Sequence, residues 1–145
     1  LQYGNLWVPV SVGSTVGQIR CAGIERQMPV IPMKMYILVR DDIPLGFAMV
    51  AVAHASLAGY LKFHGTPEVE QWLSGPFFKA VCKVNAKEFE HAKEVPDHVV
   101  LTESALDHLE VAIVFKPREE WPRMFRFLRL YRDAPKTHGS SGETA

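Results

Sequence analysis

Met35-Tyr36-Ile37-Leu38-Val39-Arg40-Asp41-Asp42 is the stretch on which the fold turns. Its first five residues are apolar without a break and include β-branched Ile37 and Val39. Such a run, bounded by charge, reads as a strand buried on both faces. Arg40-Asp41-Asp42 ends it, and Pro44 and Gly46 supply the turn that follows. From there the spacing predicts a helix over Leu45 to Phe63. Phe47, Val50, Leu57 and Leu61 recur on one side, and Ala48, Ala51, Val52, Ala55 and Gly59 cover most of the rest. A helix apolar nearly all round is expected to be buried on more than one side.

Further along, Thr66 and Pro67 open a short helix over Pro67 to Leu73, which Ser74-Gly75-Pro76 breaks. Phe77 to Val84 reads as a strand with Phe77, Lys79, Val81 and Lys83 on one face. Asn85 with Glu88 forms a capping-box signature for a helix over Ala86 to Val95. Strands are expected at His98 to Thr102 and Leu109 to Phe115, and a last helix from Glu119 or Pro122 to Tyr131. The order β-α-α-β-α-β-β-α implies an α/β fold, a mixed four-stranded sheet with helices on both faces. In such sheets ligands gather beyond the carboxyl ends of the strands. That rule singles out Arg40-Asp41-Asp42, Thr102-Glu103-Ser104 and the start of the long helix.

Working outward to the ends, residues 1–32 are rich in Gly, Pro and Val and read as an irregular N-terminal extension. The sequence opens on Leu1, and Met28, Met33 and Met35 read as candidate natural starts. Residues 33–132 form the domain, and 133–145, with Gly139-Ser140-Ser141-Gly142, read as a flexible tail. The 145 residues suit one domain, and 48% apolar against 22% charged is a globular composition. Sixteen Lys and Arg balance sixteen Asp and Glu, which disfavours a strongly basic nucleic-acid binder; no DNA partner is expected. Two cysteines cannot frame a disulfide scaffold. No run is read as a membrane span or a secretory signal, so a cytoplasmic protein without a membrane partner is the expectation.

The element order, with Leu38-Val39-Arg40-Asp41-Asp42-Ile43 leading into Gly46, then His54-Ala55 and Tyr60, and Leu128-Arg129-Leu130-Tyr131 at the end, resembles the archaeal and eukaryotic type of peptidyl-tRNA hydrolase. The resemblance covers residues 33–132. It implies a small hydrolase that cleaves the ester between a stalled peptide and its tRNA without metal or cofactor, and it makes tRNA and a second copy of the chain the expected partners. The sequence departs from the family where the chemistry should lie. The family's lysine-bearing turn is Pro44-Leu45-Gly46-Phe47 here, so Phe47 stands where a lysine is expected. Ala51 takes the place of a glutamine, and the family's acidic residue falls on Ser104 or, shifted by one, on Glu103. One oxyanion donor is often worth roughly 3–4 kcal/mol, so the loss of that lysine matters. A non-catalytic small-ligand, RNA or protein binding module on the same fold is the rival expectation.

The candidate catalytic residues are therefore Asp42, His54, Glu103 and Ser104, and the candidate pocket residues are Phe47 and Ala51. Each catalytic candidate has a plainer reading. His54 lies roughly 12 Å along its helix and shares a side with apolar residues, as a core or interface histidine would. Asp42 can pair with Arg40. Glu103 and Ser104 can be a polar loop, since no Gly-x-Ser-x-Gly elbow accompanies them. Cys82 reads as core. Arg123, Arg126, Arg129 and Arg132 recur every three residues on the expected last helix, with Phe125, Phe127, Leu128 and Leu130 packed inward. They are the candidate RNA-binding face, or else a solvated one. The His, Asp and Glu spacings suggest no metal site.

Overall fold

The computed structural model describes residues 32–132. The irregular extension, save Pro32, and the tail at 133–145 lie outside the described residues. Within them run β1 (Lys34–Arg40), α1 (Leu45–Phe63), α2 (Pro67–Ser74), β2 (Phe78–Val84), α3 (Ala86–Ala92), β3 (His98–Glu103), β4 (Leu109–Phe115) and β5 (Arg129–Leu130). Two 3-10 turns, Ser104–Leu106 and Arg123–Phe127, sit between the later strands.

The sheet is mixed and has the order β3-β4-β1-β2-β5. β1 and β2 are parallel, with Lys34 opposite Phe78 and Arg40 opposite Val84. β4 lies antiparallel on the other side of β1, β3 antiparallel beyond it, and β5 antiparallel to β2. β1 is central, and Met35, Ile37, Leu38 and Val39 have no exposed surface. That burial on both faces is what the unbroken apolar run required.

Two cores flank the sheet. On one side Met35, Ile37, Val39 and Val114 meet Ala48, Ala51 and Ala55 of α1 and Val69 and Trp72 of α2. On the other, Leu38, Cys82, Ile113 and Phe115 meet Phe89 and Ala92 of α3 together with Phe125. Gly59 lets α1 lie close, since a Cβ there would stand 2.7 Å from Val114 Cγ2. The capping box at α3 is formed: Glu88 N–H donates to Asn85 Oδ1 at 2.9 Å, and Asn85 N–H to Glu88 Oε2 at 2.8 Å.

Three expectations need correction. The sheet has five strands rather than four, because the expected last helix is absent. Its place is taken by the 3-10 turn Arg123–Phe127 and by β5, whose Tyr131 N–H continues the ladder onto the Val81 carbonyl at 2.8 Å. In consequence only Phe125 of that segment's apolar residues is buried, while Phe127 is 70% and Leu130 48% exposed. Finally, α1 is buried on one side only. Its small residues Ala48, Ala51, Ala55 and Gly59 face the sheet, and Met49, Leu57 and Leu61 face out. By length and composition α1 is apolar enough to cross a membrane, yet that small-residue face is packed on the sheet.

Candidate functional site

The pairing directions bring the carboxyl ends of β1, β2 and β3 to one edge of the sheet, and α1 starts there. Asp41, Asp42, Asn85, Glu103 and Ser104 therefore share that edge. They do not share one pocket. β3 is two strands from β1, a separation of about 10 Å at ordinary strand spacing.

Each carboxylate on the edge already has a task. Asp42 takes two hydrogen bonds from Arg40, at 2.8 and 2.6 Å, and the guanidinium itself lies over the Phe89 ring. The Arg40 hydrogen bonds hold the Asp42 carboxyl below the usual carboxylate range, so it is a weak proton acceptor. Asp41 donates its N–H to the Val84 carbonyl at 2.9 Å, which ties β1 to β2 where they end, and its carboxylate lies 3.9 Å from Arg129. Glu103 Oε1 accepts from Ala105 N–H at 3.0 Å and caps the 3-10 turn; Ser104 is exposed as that turn's first residue. His54 is on the outer side of α1, more than two turns from the edge, exposed beside Leu57 and Leu61.

A groove opens where α1 leaves the sheet uncovered. α1 packs over β1, β3 and β4, so among the described residues the β2–β5 half of the same face carries no helix near the α1 start. The space, about 360 Å³, is lined by Leu45, Ala48, Met49, Val52, Val81 and Tyr131. Ala51 lies under α1 against the sheet, and Phe47 is half-buried against the same core. A second hollow continues along α1 between Leu57, Tyr60, Trp72 and Phe77.

One cation stands at the groove that the sequence reading did not single out for chemistry. Lys83 is level with Val39 across the parallel pair, so it projects on the α1 face, near the carboxyl end of β2. Its ammonium lies 4.5 Å from the centre of the Tyr131 ring, which lines the groove. Lys79, two residues back, stacks on Trp72 and Phe77 at 4.9 and 4.8 Å, and burial lowers its pKa. The signal was in the strand alternation, which put both lysines with Val81 on the face that α1 covers incompletely.

The four arginines do not form a helical stripe. Arg123 and Arg126 share one side of the 3-10 turn, where residues three apart eclipse. Arg129 belongs to β5 and faces Asp41, and Arg132 follows it, exposed.

No family model matches the chain, and no curated protein matches it.

Proposed function

We propose that the chain is a divergent peptidyl-tRNA hydrolase-like protein that hydrolyses the ester of peptidyl- or aminoacyl-tRNA. The observation that carries this reading is Lys83, a cation stacked on Tyr131 of the groove wall, in a molecule whose turn lacks the expected lysine. In this reading the apolar groove holds the acyl side chain. Water adds to the ester carbonyl carbon and the bond to the ribose oxygen breaks; one proton of the water ends on that oxygen, the other is released to solvent, and the ribose hydroxyl and a carboxylate leave. The oxyanion of the intermediate is stabilised by Lys83 and by the free N–H groups at the α1 N-terminus. Asp42 orients water rather than takes its proton, since the Arg40 hydrogen bonds make it a weak acceptor, and Asp41 lies beside it on the same edge. The exposed Arg123 and Arg126 meet phosphates. His54 has no part in the step.

The test is release of N-acetylated amino acid from acylated tRNA, compared with heat-killed protein. Lys83→Met is expected to lower the rate by about 100-fold, the size of one lost oxyanion donor. Wild-type protein that releases nothing across neutral pH overturns the hydrolase reading.

A second reading, a non-catalytic binding module, is favoured by one observation. Asp42 and Glu103 are both consumed in local hydrogen bonds, and the groove lining is apolar. Phe47→Lys separates the two. Gained hydrolysis marks a weakened active site; no gain in a folded variant, with tRNA or ligand still bound, marks a binding role.

A further inference from the structure

Phe77 has a φ of 37°, a region that a bulky side chain rarely adopts. Gly75 lies two residues away, yet the chain holds a ring rather than a glycine at the left-handed position. Strain of this kind recurs at ligand clamps. Here it places the Phe77 ring edge to face with Trp72 at 5.9 Å, and the Lys79 ammonium lies 4.8 Å from the Phe77 ring and 4.9 Å from the Trp72 ring. These three side chains bound one side of a hollow of about 390 Å³, with Leu57 and Tyr60 of α1 and Leu73 of α2 on the others. It shares no lining residue with the groove beside Val81. Lys79 stands about 13 Å before Lys83 along β2, so the two cations serve different hollows.

We propose that this hollow binds an aromatic monocarboxylate, its ring system against Tyr60, Trp72 and Phe77 and its carboxylate on the Lys79 ammonium. Charge selects an anion. Lys79 is the one charged residue of the lining, which holds no acid. Lys93 and Lys116 each hold two carboxylates, whereas Lys79 has none among the described residues and lies exposed at the mouth. Burial against the rings lowers its pKa, and an anion beside it would raise it again. A phosphate monoester carries about two negative charges at neutral pH and calls for a second cation, which the hollow lacks. A cationic ligand is refused, because Lys79 already occupies the ring faces that would attract it. Three aromatic walls favour a flat ring over an alkyl chain, through offset and edge contacts. The volume is at the lower end for ligand pockets and suits a two-ring acid. Binding is read without any ester, so failure of the hydrolase reading would leave this result intact.

The experiment is isothermal titration calorimetry of the whole chain at neutral pH with three probes of one shape: indole-3-propionate, indole-3-propanol and indole-3-propylamine. The acid is expected to bind with a Kd below about 1 mM and about tenfold tighter than the alcohol, the size of one charge-assisted hydrogen bond. The amine is expected not to bind. Lys79→Glu, at an exposed position and still charged, is expected to reverse the order, so that the amine binds and the acid does not. Ala53→Phe fills the hollow from an exposed position on α1 and is expected to abolish binding of acid and alcohol with an unchanged circular dichroism spectrum. Lys83→Met is expected to bind the acid as wild type does. Wild-type protein that does not bind the acid, or binds it no tighter than the alcohol, overturns the proposal, and this series decides even where a variant fails to fold. Acid binding that survives Lys79→Glu or Ala53→Phe, or that is lost with Lys83→Met instead, overturns it too.

Discussion

On the α3 side of the sheet, Tyr36, Phe115, Trp121 and Phe125 meet largely edge to face, with Tyr36 and Trp121 centred 4.6 Å apart and Phe115 and Phe125 5.2 Å. On the α1 side, alanines and a glycine lie on Val114 and Met35. The first arrangement fills space with large rings and leaves little of them in water. The second reaches the sheet with small side chains and turns the large ones outward. A helix that rests on alanines can be apolar all round without being buried all round. Stability is thereby concentrated on one face, and surface able to bind something is left on the other.

The largest test of that contrast is Phe115→Ala. It deletes a fully buried ring at the centre of the aromatic cluster and is expected to lower unfolding free energy by about 3–5 kcal/mol in urea. A loss below about 1 kcal/mol would remove the cluster as the anchor of the fold. Next is alkaline pH. Burial pushes the Cys82 thiol from an ordinary 9.0 to about 11. Because the folded value is the higher, the stabilisation is complete below pH 9 and is lost as pH rises through 11. A decline of roughly 2 kcal/mol across that window is expected, and Cys82→Ala should flatten it.

Gly59→Ala probes the close approach of α1. Helix propensity favours alanine by about 1 kcal/mol. The 2.7 Å contact with buried, β-branched Val114 opposes it, at the 1–3 kcal/mol of an overpacked core. The contact wins, so a net loss of about 1 kcal/mol and a lower Tm are expected. Asn85→Ala removes one half of the capping box and should cost about 1 kcal/mol in the same urea titration. Smallest is Leu57→Glu. Its stability should stay within about 0.5 kcal/mol of wild type. A larger loss would mean that the outer face of α1 is packed after all.

Much of this architecture was legible. β1 announced itself because burial on both faces demands an unbroken apolar run, and Asn85 with Glu88 marked the α3 start. The final segment is ambiguous because arginines every three residues also fit one face of an α-helix. A repeat of three belongs to a 3-10 turn, and Pro122 ahead of it with Leu128 to Leu130 after it left room for a strand. In α1, apolar composition concealed the division by size. The informative spacing was Ala48, Ala51, Ala55 and Gly59. At the site, Asp42 and Glu103 were visible by position alone, but their hydrogen-bond duties depend on Arg40 geometry and on a turn that composition does not encode. Lys83 was visible too, but its importance depends on which half of the sheet α1 leaves bare.

β5 covers only Cys82 and Lys83 of β2. The earlier part of that strand, Phe78 to Ala80, has no neighbour on its outer side among the described residues. Phe77, Phe78 and Val81 make this a β-prone segment without proline, open to templating by a like segment of another molecule. Lys79 is the one charge within it, stacked across two aromatic rings on the strand face. That ammonium is therefore also a gatekeeper, and its removal would expose a nucleus for fibrils.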